Sequence, residues 1–140
     1  MEDRFRTNVR RLRTMNDLCL AQYVGSEILE EIIVSADNCP VFVQSISMIR
    51  KLPLQILPDS KLDLICDIFG DIKSTIKTVK SSYGADDILP ILEFILIRGM
   101  VQNIGIEIRI IKDFLHPDIQ GGEKGLLYCH FYTAYKSLCK

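Results

Sequence analysis

The stretch KLDLICDIFGDIKSTIKTVK, residues 61–80, decides the fold. Leu62, Ile65, Phe69, Ile72, Ile76 and Val79 recur every three or four residues, the spacing that gathers side chains on one face of an α-helix. Asp63, Asp67, Lys73, Lys77 and Lys80 fall on other faces, with the acids leading and the lysines trailing as the helix dipole favours. The spacing predicts a helix over 61–80, with Asp59 or Ser60 as its N-cap.

Upstream, Pro53 and Pro58 make 52–60 a loop. Residues 41–51 read two ways: Val41, Val43 and Gln44 could start a strand, whereas Phe42, Ile46 and Ile49 fit a short helix. Over 18–36 the inward set Leu20, Val24, Ile28, Leu29, Ile32 and Ile33 predicts one helix, with Glu27, Glu30 and Glu31 on its wet side. Asn38-Cys39-Pro40 ends it. Residues 1–15 hold five arginines and two acids, a local charge of +3 that leaves −4 on the remainder of a chain of net charge −1. Arg6, Arg10 and Arg13 share one helical face, as a solvated surface or as a contact for an acidic partner or an anionic membrane.

Downstream, Ser81-Ser82-Tyr83-Gly84 is a turn. Residues 86–98 form a helix apolar nearly all round, which must be central or offered in part to a partner. A helix over 104–115, whose isoleucines also suit a strand, stops at His116-Pro117, and a turn at 120–123 precedes a closing helix over 126–138. The sum is about six helices in an all-α layered bundle.

Composition excludes several classes. With 140 residues, 48% hydrophobic and 25% charged, the chain can bury a core and is not disordered. Net charge near zero supplies no global field for nucleic acid. No secretory signal opens the sequence, and the longest apolar run, Ile88 to Ile97, is too short to span a bilayer and is interrupted by Pro90 and Glu93. The five cysteines form no CxxC pair and only two histidines could assist them, so no metal is expected and the thiols read as reduced, small core hydrophobes. Neither a glycine-rich phosphate loop nor a GxSxG elbow occurs, and no cofactor is expected.

One local pattern carries function: Gly84-Ala85-Asp86-Asp87-Ile88-Leu89-Pro90. Two adjacent carboxylates at a helix start are ordinary capping chemistry. With Asp86 as N-cap, however, Pro90 falls at the fourth helical position and deletes an early ladder bond, a local rule broken in the way functional sites break rules.

This motif, the apolar helix behind it, the Gln102-Asn103-Ile104-Gly105 and Glu107 pattern, and Gly122-Glu123-Lys124-Gly125 before the last helix together resemble the Vps-nine domain family, in particular its alsin-type members. The likeness runs from about residue 60 to 138. It implies a helical bundle and a regulatory exchange factor, without covalent chemistry, for endosomal Rab GTPases of the Rab-five subfamily. It implies a cytoplasmic protein recruited to the surface of early endosomes. It places the GTPase in a groove between the helix beginning at Asp86 and the last helix. Asp86 matches the family's acidic finger, Pro90 a groove-shaping proline, and Glu123 the Gly-Glu turn, which it would hold by hydrogen bonds. Asp87 would orient Asp86. Leu126 and Cys129 stand where many members have tyrosine and threonine, so the same fold binding a GTPase or partner without exchange is the alternative. Residues 60–140 are then the family core, and 1–59 a shortened supporting layer with a basic start.

Overall fold

A left-handed glycine explains why the bundle holds more helices than periodicity alone implies. In the computed structural model, which describes residues 2–37, 39–115 and 122–140, Gly25 adopts φ +78° and ends one helix where the sequence predicts a continuous one. Its N–H donates to the Ala21 carbonyl, and Ser26 then caps the next helix by accepting from the Leu29 N–H at 3.0 Å. The described residues form eight α-helices: α1 (Glu2–Leu12), α2 (Asp17–Val24), α3 (Glu27–Ser35), α4 (Val43–Arg50), α5 (Pro58–Ile76), α6 (Ala85–Gly99), α7 (Ile104–Asp113) and α8 (Glu123–Leu138). A short 3₁₀ turn, Leu52–Leu54, links α4 to α5.

The all-α class stands, with local corrections. The ambiguous stretch around 41–51 is helix α4. Helix α5 begins at Pro58 with Leu57 as N-cap, not Asp59 or Ser60, because proline fits the first helical position, where no N–H is needed. The closing helix begins at Glu123, a turn earlier than expected. His116-Pro117 and half of the expected 120–123 turn lie outside the described residues.

The apolar α6 is the centre. Ile88, Ile91, Leu92, Phe94, Ile95, Leu96, Ile97 and Gly99 are all buried on it. Helices α8, α4 and α2 pack on it most extensively, and α1 and α5 touch it as well. Gly99 permits the closest approach: a Cβ there would collide with Ile49 of α4. Arg50 caps the end of α6 by donating to the carbonyls of Gly99 (3.2 Å) and Arg98 (3.1 Å). Helix α1 closes over α8, where Phe5 lies against Tyr135 and the Tyr135 hydroxyl donates to Glu2 at 2.8 Å. Burial and the Glu2 carboxylate push the Tyr135 pKa far up.

Two polar groups sit where the pattern shows only a helix start and an apolar run. Lys61, 4% exposed, is ion-paired with Glu107 of α7, 9% exposed, and donates to the Leu52 carbonyl at 3.0 Å. Glu93, half-buried on α6, has its carboxyl pushed above the usual range by burial, against a hydrogen bond from Ser137 that lowers it. A carboxyl raised in the fold favours the fold below its unfolded pKa and opposes it as pH rises past the folded value. Glu93→Gln is therefore expected to raise the melting temperature at neutral pH and to lose that gain near pH 4, roughly the unfolded pKa. Equal shifts at both pH values would contradict this.

Candidate functional site

The two acids of the motif have separate jobs. Gly84, not Asp86, is the N-cap of α6, so Asp87 occupies the third helical position. Its Oδ2 accepts from the Gly84 N–H at 3.0 Å and lies 3.4 Å from Lys80 Nζ, just past the end of α5. Asp86, one residue earlier, is exposed and has no hydrogen bond or ion pair among the described residues. Its carboxylate is a free anion at the start of a helix. Pro90 is half-buried at the sixth helical position, two later than an Asp86 cap would place it. The ladder bond it cannot make is the one that would end on the Asp86 carbonyl.

At the start of α8, Glu123 is the first helical residue, exposed, with Oε1 3.8 Å from Lys73 Nζ. Lys124 donates to Asp63 at 3.1 Å. The starts of α6 and α8 thus both reach cations near the C-terminal end of α5, Lys80 just past it and Lys73 within it. No hydrogen bond or ion pair among the described residues joins Asp86 to Leu126 or Cys129.

Of the residues around Leu126, helical spacing sends Leu127 and Phe131 into the core at 6% and 1% exposure, while Leu126 stays 56% exposed. Cys129 lies a turn further along the same outward stripe, followed by exposed Thr133, whose hydroxyl donates to the Cys129 carbonyl at 2.8 Å. Thr133 is legible from its four-residue spacing to Cys129, and Lys80 from its place before the turn. The cysteines are not uniformly core residues: Cys139 is buried and Cys66 half-buried, but Cys19, Cys39 and Cys129 are exposed. Burial pushes the Cys66 and Cys139 thiols up, away from reactive thiolate.

The basic face of α1 is exposed at Arg6 and Arg10 and continues to the exposed Arg13 just past its end. Arg6 donates to Asn103 Oδ1 at 2.6 Å and Arg13 to Met100 Sδ, both acceptors in the link between α6 and α7. The left-handed backbones of Met100 and Asn103 (φ 48° and 58°) make that link tight. No helix among the described residues is long and apolar enough to cross a membrane.

The family model for the Vacuolar sorting protein 9 (VPS9) domain matches residues 42–140, from the cap of α4 to the end of α8. The chain belongs to the VPS9 domain family. VPS9 domains are guanine-nucleotide exchange domains for Rab GTPases, and the all-helical bundle agrees with that membership. Among curated proteins, mouse alsin is 24% identical over 96% of this chain and 9% of its own length. Human ALS2 C-terminal-like protein is 30% identical over 72% of this chain and 10% of its own length. The chain thus spans about a tenth of the length of the relatives it matches. No solved structure matches. Helices α1–α3 precede the VPS9 match, and α4–α8 lie within it.

Proposed function

We propose that this VPS9 domain accelerates GDP release from an endosomal Rab GTPase of the Rab-five subfamily, with Asp86 as its acidic finger. The observation that carries this reading is the exposed, unpaired Asp86 carboxylate beside a capped, ion-paired Asp87. Inserted into the nucleotide site, that carboxylate pairs with the GTPase phosphate-loop lysine and repels phosphate. The lysine gains a substitute anion and the nucleotide loses a partner. Asp87 and Lys80 hold the backbone from which Asp86 projects. Pro90 and Glu123 shape the rim, and Leu126 and Cys129 form the part of α8 that receives the switch regions. Helices α1–α3 serve as the supporting layer under the exchange face.

An exchange factor that works this way forms a complex with nucleotide-free GTPase that excess GDP dissolves. No such complex from a folded, monodisperse sample would reject the reading. Binding without exchange is the second reading, favoured by Cys129, because an exposed thiol is a weak hydrogen-bonding group where threonine would supply a hydroxyl. Cys129→Thr is expected to speed GDP release roughly 2–10-fold, the worth of one hydrogen bond. An unchanged rate would show that the thiol does not limit exchange.

Recruitment to the cytoplasmic surface of early endosomes draws on the arginine face. The partners of Arg6 and Arg13 named above are neutral, so their charge remains available to anionic lipid. Co-sedimentation with phosphatidylserine vesicles is expected to fall steeply with salt, and salt-independent binding would exclude this contact.

A further inference from the structure

Residues 17–39 hold five acids, Asp17, Glu27, Glu30, Glu31 and Asp37, and no lysine, arginine or histidine. Arg98 neutralises Asp17 at 2.8 Å. The other four acids make no ion pair among the described residues. In a chain of net charge −1 this is a concentrated, uncompensated negative face.

The face is also apolar along its middle. Helix α3 turns Ile28, Leu29 and Ile32 into the core. It leaves Val34 68% exposed, and Leu18 of α2 is 40% exposed. Two adjoining shallow depressions share Leu18 and Val34, one running toward Asp37 and the other toward Glu27, Glu30 and Glu31. A shallow groove therefore follows the α2–α3 hairpin, with an aliphatic floor and carboxylates along its length. Glu27, Glu30, Glu31 and Val34 recur at helical spacing over seven residues of α3, roughly 10 Å or about two helical turns, and Asp37 follows just past its end.

We propose that this hairpin groove docks a basic amphipathic helix from a partner protein, with an aliphatic residue seated on Leu18 and Val34 and lysines or arginines facing the glutamates. Charge complementarity selects this occupant. An anionic membrane is repelled by the four acids. A metal ion needs converging ligands, and no group of three or more potential ligands comes together among the described residues. A second copy lacks the right face: α1, the arginine-rich helix, has its apolar residues Phe5, Val9 and Leu12 buried in its own bundle. Paired aliphatic anchors and flanking charge are the means by which grooves read amphipathic helices.

The groove is separate from the exchange site. Asp17 binds Arg98 near the C-terminal end of α6, whereas Asp86 lies at its N-terminal end, roughly 18 Å away along the helix. A docked helix leaves the Asp86 face open, so the hairpin acts as a recruitment surface alongside GTPase binding. The surface does not depend on the exchange reading and is tested without it.

The test uses the whole chain and two fluorescein-labelled 12-residue Leu/Lys peptides of identical composition, one amphipathic as a helix and one scrambled. Anisotropy is read for wild type, Glu30→Lys and Val34→Asp, with NMR shift mapping on wild type. The amphipathic peptide is expected to bind at least tenfold more tightly than the scrambled one and to perturb amides of residues 17–39. Binding is expected to weaken at least tenfold in both variants. Val34→Asp is the discriminating change, because it adds negative charge while removing the aliphatic floor. Unchanged or tighter binding to Val34→Asp, equal binding of the scrambled peptide, or perturbations centred elsewhere would overturn the proposal. So would concentration-dependent self-association abolished by Val34→Asp, which would assign the groove to a second copy.

Discussion

Lys61→Met is expected to destabilise the fold by about 3–5 kcal/mol, the usual cost of removing one partner from a buried ion pair. Methionine keeps most of the aliphatic stem of Lys61 and deletes the charge. Glu107, 9% exposed between α5 and α7, is then left with no cation among the described residues, and the Leu52 carbonyl loses its lysine donor. Lys61→Met with Glu107→Leu removes both charges and is expected to recover most of the loss, because an apolar pair of similar volume carries no desolvation cost. Urea denaturation at neutral pH measures both. A loss below about 1 kcal/mol for the single variant would mean that water reaches the pair and that it does not fasten α7 to α5.

Asp86→Ala is expected to cut stimulated GDP release by roughly 100-fold or more, the scale at which one preorganised electrostatic partner is lost from a reaction. Stability is expected to change by no more than about 0.5 kcal/mol, as for an exposed residue outside the core. The combination is informative because the neighbouring acid is expected to behave differently. Asp87→Ala removes the acceptor of the Gly84 N–H and the partner of Lys80, so it loses stability as well as rate. A kinetically silent Asp86→Ala with a large drop in melting temperature would make Asp86 a cap and remove the finger.

The long-period elements were legible in the sequence. The core face of α5, from Leu62 through Ile76, and the all-round burial of α6 follow directly from apolar spacing. What periodicity could not show was interruption by a single backbone conformation. The aliphatic pattern continues across Gly25, and only its left-handed φ divides α2 from α3. The Lys61–Glu107 pair was hidden for a different reason: its partners are 46 residues apart, and each looks like an ordinary charged residue on its own helix. At the site, Pro90 stood out because it breaks a local rule, whereas Asp86 and Asp87 alone read as ordinary capping. Assigning the cap needed three-dimensional geometry, since either acid satisfies the same residue preference. Leu126 and Leu127 are neighbours of identical type, and only the packing of α8 decides that the first faces solvent and the second the core.

Release of a fluorescent GDP analogue from purified Rab GTPases tests the central claim most directly, with members of the Rab-five subfamily and of other subfamilies side by side and wild-type and Asp86→Ala chains at rising concentration. The expected result is concentration-dependent acceleration by wild type, confined to the Rab-five subfamily and lost in Asp86→Ala. Acceleration that survives Asp86→Ala, or none from a folded chain that still binds nucleotide-free GTPase, would contradict the acidic-finger mechanism.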